Sequence, residues 1–427
     1  MSDAEGQSST PNSTPDQPIS AAERIVALDF IRGIAVLGIL FPNIVAYGHP
    51  MLAYYWPEAL PGGSTAFDRY VWLFQFVLID GKLRGVFTLL FGAGLILFLD
   101  RTSARGGSAD LQIRRLAWLG VFGIAHTFLI WTGDILLLYA LAGFGALLMT
   151  GWDARTQFRI GVAWFLAGAL IFSAAIGTAV VAEGIPTMPD PTPLSYEQAQ
   201  QGAADFVKDA NEETDVTQVG DWPGLVAWRV AEEGPGLPFE LLFFALVETI
   251  PLMLIGMALY RMGLFEGHLD RARLRRWGWI GLVGGAVLTL PVGLWVMWAG
   301  FPILLTQFAF NGLSAFLHLP MVLGLTVLLS LWAGTAAKGW LGSRIVAAGR
   351  MAFSNYLGGS ILMMFVFQGW AGGLFGQLHR IGLLPFVVLA WVLMLAWSKP
   401  WLARFRYGPL EWLWRCLTYW QLMPIRK

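Results

Sequence analysis

Ionisable side chains set inside apolar stretches are where this sequence can do chemistry. In RIVALDFIRGIAVLGILFPN, residues 24–43, Asp29 and Arg32 stand three apart. On a helix they share a face and can pair. Such a pair either locks its helix to its neighbours or forms part of an anion site, since Arg grips phosphate bidentately and keeps its charge. A later segment, GRMAFSNYL, brings Arg350, Ser354 and Asn355 to the same depth. Asn43 lies eleven residues beyond Arg32. Eleven steps of about 100° return to nearly the same face, roughly 16 Å further along the axis. One helix can therefore line a path from Arg32 to Asn43, with a kink expected at Pro42.

A second polar layer holds His49, Lys82, Arg84, His126, Asp134, Glu240, Glu248 and His318. His126 and His318 can act as general bases near neutral pH. A His–Asp pair of His126 with Asp134 is one reading; a packed structural role is the alternative for any one of these histidines. Glu248 sits mid-span and needs a proton, a cation or a positive partner. With Lys82 and His318 it would suit a proton-coupled secondary transporter or exporter. A non-catalytic sensor or scaffold is the third alternative. Five His and the single Cys416 make no metal-ligand spacing, so no metal is expected.

The elements that must position these groups are membrane helices. Of 427 residues, 56% are hydrophobic and 13% charged, with 21 Trp and 29 Phe. Mean hydropathy is +0.60. Soluble domains carry about 25% charge, so this chain cannot cover a water-facing surface. Formal net charge is zero, which gives no reason to expect a nucleic-acid partner. A spanning helix needs roughly 20 apolar residues. Candidate spans are 26–48, 81–99, 112–131, 133–150, 159–182, 238–260, 276–298, 312–333, 347–368 and 382–398. The stretch 69–80 is too short to cross alone. It either lies in the interface or extends the second helix across the Asp80–Gly81 break. Lys and Arg concentrate in alternate loops, as the positive-inside rule requires when both termini are cytoplasmic. The expectation is an all-α integral membrane protein of about ten transmembrane helices in a bacterial inner membrane.

This divides the chain into four parts. Residues 1–22 read as a disordered cytoplasmic tail. Residues 23–182 are N-terminal transmembrane helices, and 183–237 form an acidic extracytoplasmic segment. That segment is either a solvated loop or a lid over an outward-facing cavity. Residues 238–427 form a C-terminal transmembrane unit. It ends in RFRYGPLEWLWRCLTYW, an interfacial helix in which Glu411 and Arg415 can pair.

Three blocks carry a resemblance to known proteins. RIVALDFIRGIAVLGILFPNI, DGKLRGVFTLLFGAG and the pair GRMAFSNYLGGSI and FRYGPLEWLWRCLTYW occur in the order seen in the YeiB family of bacterial membrane proteins. The chain resembles that family over nearly its whole length. The last pair looks like the family's C-terminal domain of unknown function, and some members carry a transport label. The pattern of Leu28, Asp29, Arg32 and Gly33 is also similar to the first-helix motif of the transmembrane acyltransferase superfamily. That resemblance implies a cytoplasmic acyl-CoA donor and a small-molecule or glycan acceptor in or across the membrane. Members place a His eleven residues after the Arg; here the position is Asn43, which cannot act as a base. The implied assignment puts the donor on Asp29, Arg32, Arg350 and Asn355. His126 with Asp134 then takes the acceptor's proton, and Asn43 hydrogen-bonds the oxyanion.

Overall fold

The computed structural model describes residues 25–183 and 193–427. The expected tail, 1–22, lies outside them, as does 184–192 of the acidic segment. No β-strand occurs among the described residues, only one isolated bridge between Phe405 and Arg426. The helices are α1 Val26–Gly48, α2 Leu52–Tyr55, α3 Ala66–Leu78, α4 Lys82–Ala104, α5 Asp110–Leu129, α6 Leu136–Leu147, α7 Ala154–Glu183 and α8 Pro193–Val219. They continue as α9 Trp222–Phe244, α10 Ile250–Arg261, α11 Arg271–Trp298, α12 Ile303–Gln307, α13 Ser314–Ala336, α14 Trp340–Arg350, α15 Ala352–Phe367, α16 Arg380–Arg404 and α17 Pro409–Tyr419.

Among the described residues, seven stretches are long and apolar enough to cross a membrane: Val26–Gly48, Ala66–Ala104, Ala154–Thr178, Trp222–Arg261, Arg271–Trp298, Ile303–Ala336 and Arg380–Arg404. Leu136–Leu147 and Ala352–Phe367 are apolar but shorter. The surface agrees with a lipid environment. α11 exposes Trp277, Ile280, Val283, Val287 and Leu288, and α16 exposes Val388 and Val392. In water such faces would have to be covered; in lipid they are at home. The chain is thus an all-α membrane protein.

Of the two alternatives for 69–80, the structure takes the second: α3 and α4 form one apolar stretch interrupted at Gly81, whose φ of 73° suits glycine. Two boundaries differ from the sequence reading, each for a local reason. α9 starts at Trp222 rather than 238, because Asp221 accepts the Gly224 N–H at 2.8 Å and nucleates the helix in polar sequence. Hydropathy marks where a helix is greasy, not where its backbone begins. The expected span 347–368 divides at Met351 into α14 and α15. Two π-helical turns, Ala245–Thr249 and Phe308–Leu313, join α9 to α10 and α12 to α13.

The core lies where α4 packs on α10, around Val86, Leu89, Leu90, Leu252 and Ile255. α1 crosses α14 at backbone contact. A Cβ on Gly33 would stand 2.1 Å from the Ile345 carbonyl oxygen, and one on Gly349 would stand 1.9 Å from that of Asp29. The close approach expected of Gly33 is made to this helix. At the acidic end, α8 is tied across the bundle. The Met51 N–H donates to Glu213 at 2.8 Å, and Gly369 N–H to the Thr217 carbonyl at 3.0 Å.

Candidate functional site

The Gly33–Gly349 crossing fixes the first part of the site. It holds Asp29, Arg32 and Arg350 at one end of the bundle, where a cavity of about 260 Å³ opens. Arg32 Nη1 donates to Asp29 Oδ1 at 3.1 Å, so the three-residue spacing does produce a pair. The pair faces the cavity rather than being sealed in protein, with 28% of the Arg32 side chain and 15% of the Asp29 side chain exposed.

The cavity has two chemically distinct parts. Arg32, Arg101, Arg115, Arg350, Arg406 and Arg415 line it, against only Asp29 and Glu411 as acids. The remaining wall is largely apolar and aromatic, including Phe87, Leu90, Phe91, Leu119, Leu136 and Phe353. Along α4 the lining runs from Arg101 back to Phe87, about 21 Å of helix. Charge therefore gathers at one end of a long apolar shaft.

The C-terminal segment builds one wall. Trp414 Nε1 donates to the Arg115 carbonyl at 2.9 Å. The Arg115 guanidinium lies 4.6 Å from the Trp414 ring centroid and 5.0 Å from that of Phe98. Two aromatic faces so hold a cation away from bulk water. Glu411 accepts the Phe353 and Ser354 N–H groups at 2.8 and 3.1 Å, and the Ser354 hydroxyl also donates to it. This caps the start of α15 from another helix. Burial pushes the Glu411 carboxyl up, while these hydrogen bonds oppose the shift. Asn355 points elsewhere. Its amide donates to the Ala348 carbonyl and Ser398 Oγ, both at 3.1 Å, and it accepts Trp397 Nε1 at 2.8 Å. It ties α15 to α14 and α16 and is not among the residues lining the cavity.

Tyr139 and Tyr356 mark the deep end. Tyr139 shares a hydrogen bond of 2.7 Å with Thr88. The Tyr356 hydroxyl oxygen accepts the Ile135 N–H at 3.4 Å, which leaves its own proton to donate. Behind Tyr356, at a ring-to-ring distance of 5.2 Å, lies His126. His126 Nδ1 stands 2.9 Å from Asp134 Oδ1, and the two side chains are 0% and 1% exposed. The distance is that of an ion pair, but the angle is not that of a hydrogen bond. Asp134 is held in place because its Oδ2 accepts the Leu137 N–H at 2.7 Å. His126 Nε2 is buried with no hydrogen-bond partner among the described residues. Such a group is costly unless something visits it. Asn43, half-buried on α1, does not line the cavity.

The other polar residues form a separate layer. Arg84 Nη2 donates to both Glu248 oxygens, at 3.0 and 2.8 Å, which supplies the positive partner that Glu248 requires. Lys82 Nζ donates to the Phe76 carbonyl at 2.5 Å and lies 2.9 Å from His318 Nε2. Sequence reasoning missed the hub here, Arg380. It is 1% exposed and donates to Gln75 Oε1 at 3.2 Å and to the Ala53 carbonyl. Its position at the edge of an apolar run looks like an ordinary interfacial flank. Arg101, Arg115 and Arg406 were legible only as loop charges. Among the described residues no group of three or more His, Cys, Asp or Glu could hold a metal ion.

Comparison with known proteins bears on the whole chain. Residues 259–421 match the family described as "Protein of unknown function (DUF418)". The chain is 31% identical over 416 residues to the uncharacterized protein YeiB of Escherichia coli (strain K12), covering 93% of this chain and 96% of that one. It is 29% identical over 431 residues to the uncharacterized protein YxaH of Bacillus subtilis (strain 168), covering 96% and 98% respectively. No solved structure matches the chain.

Proposed function

The chain belongs to the YeiB family, and we propose that it is a membrane acyltransferase taking its acyl group from acyl-CoA at the basic cavity. One observation carries this reading. Six arginines gather at one end of an apolar shaft that reaches Tyr356, one ring away from a buried His–Asp pair. Phosphates suit the arginines. At about 260 Å³ the cavity is smaller than the ~300–1,000 Å³ that encloses a drug-sized ligand. It therefore takes the pantetheine arm and a short acyl chain, with the nucleotide held at the mouth. By the positive-inside rule that mouth faces the cytoplasm. The seven long spans together with α5, α6 and α15 give ten crossings of the inner membrane, with both termini inside.

In this mechanism His126, oriented by Asp134, accepts the proton of an acceptor hydroxyl through Nε2. The acceptor oxygen bonds to the thioester carbonyl carbon, and the Tyr356 hydroxyl donates to the developing oxyanion. The carbon–sulfur bond then breaks, and the thiolate leaves and regains a proton as free CoA. The acceptor is a small molecule or glycan reaching the deep end from the opposite side. Reaction requires the His126 side chain to gain access past Tyr356.

Binding tests this reading first. Purified protein in detergent should bind acetyl-CoA or a longer acyl-CoA, and Arg32→Ala should lose that binding. Folded wild type that binds none of the panel overturns the proposal. His126→Ala should keep donor binding and lose transfer; transfer at the wild-type rate removes His126 from the mechanism.

A further inference from the structure

The lipid-facing side of the bundle carries a groove of about 660 Å³ between α11 and α13. On α11 it is lined by Arg271, Arg275, Trp279 and Leu282, spacings that put all four on one helical face. On α13 the facing positions include Leu325, Leu328, Trp332 and Thr335. No lining residue is acidic. Both arginines lie at the end of the groove nearest the start of α11, and Arg271 is held over α13 by donating to the Leu331 carbonyl at 3.3 Å. Trp279 and Trp332, 53% and 55% exposed, stand beside them. Arg and Trp together at one end of an apolar groove are the composition of a headgroup-level site.

The dimensions agree. From Arg271 to Leu282 the helix rises about 16 Å, against about 15 Å for the hydrocarbon of one leaflet. A phosphate held at the arginines would leave its acyl chain running along Trp279, Leu282, Leu325 and Leu328. The neighbouring α11 surface, with Trp277, Ile280, Val283 and Val287 exposed, is apolar as a lipid-facing surface must be. We propose that this groove is a binding site for one anionic glycerophospholipid, its phosphate between Arg271 and Arg275.

The test uses wild-type protein in detergent, offered equimolar phosphatidylglycerol and phosphatidylcholine, with bound lipid counted by native mass spectrometry. Wild type should retain phosphatidylglycerol preferentially. Each basic side chain near a headgroup contributes about fivefold, so Arg271→Gln/Arg275→Gln should reduce that retention roughly 25-fold. Arg273→Gln/Arg276→Gln removes the same charge from the same helix outside the groove and should leave the preference intact. Equal retention of the two lipids by wild type overturns the proposal, as does equal loss in both double variants. A dimer that disperses only in the Arg271/Arg275 variant would assign the groove to a second copy of the chain and overturn it too.

Discussion

The basic cavity and the opposite ionic layer use the same residue types in opposite ways. In the layer, each carboxylate is matched by donors: Arg84 Nη2 donates to both Glu248 oxygens, and the Arg380 backbone N–H and the His379 ring both reach Asp68. At the cavity, six arginines and two carboxylates share the wall of an open space. Matched charge inside a bundle holds helices in register and is destabilising when one partner is removed. A surplus of one sign around a cavity is the arrangement a charged ligand would complete. The contrast separates charge that is matched across helices from charge that gathers around a cavity.

The largest effect that could break this distinction lies in the ionic layer. Arg84→Ala should leave Glu248 unpaired inside the membrane-spanning bundle and destabilise the protein by about 2–3 kcal/mol, read as thermal unfolding in detergent; 36% of the Arg84 and 21% of the Glu248 side chain is exposed, so the full cost of a sealed pair is not expected. Replacing both residues with apolar ones of similar size should cost far less. If Arg84→Ala unfolds like wild type, the layer is not structural, and Glu248 returns as a candidate coupling site for transport. Proton-coupled flux lost in Glu248→Gln would then support transport.

Next in size is the crossing beneath the cavity. Gly349→Ala drives a methyl into the Asp29 carbonyl and should cost about 1–3 kcal/mol. It should also shift Arg32 and weaken donor binding, so stability and binding fall together. A variant with unchanged stability would mean that α1 and α14 part easily.

The acidic end gives a pH signature. Burial pushes the Glu213 carboxyl up to about 7 from its usual 4.5, with the Met51 N–H opposing the shift. The folded state then binds more protons than the unfolded state between about 4.5 and about 7. Glu213 therefore disfavours folding progressively as pH rises through that window. Glu213→Gln should flatten this part of the stability profile; an unchanged slope would place its origin elsewhere. The smallest stability change is expected for Arg32→Ala, at most about 1 kcal/mol, because its pair with Asp29 is partly exposed. Loss of acyl-CoA binding with so little loss of stability is the sharpest form of the comparison.

What the sequence made legible was local. The all-helical membrane class followed from composition, the Asp29–Arg32 pair from a three-residue spacing, and the proximity of His126 to Asp134 from their nearness in the chain. What stayed hidden depended on distant partners. Glu248 meets Arg84 across 164 residues, and Trp414 meets Arg115 across 299. No periodicity encodes which helix lies beside which. Asn355 looked like a ligand because it shares a segment with Arg350, yet Ser398 and Trp397 engage its amide. The cavity was invisible because its arginines come from five separate stretches of chain.

That α17 walls the cavity and Glu411 caps α15 has a consequence for biogenesis. α17 is translated after every spanning helix, so the bundle can insert while its basic chamber is still unroofed. Until Glu411 arrives, the Phe353 and Ser354 amides lack this cap and Arg115 lacks one of its aromatic covers. The wall of the cavity is therefore completed as a late maturation step, after the last spanning helix has been made. A nascent chain arrested before Pro409 would carry its spanning helices, yet its cavity would stand open on the side that α17 covers.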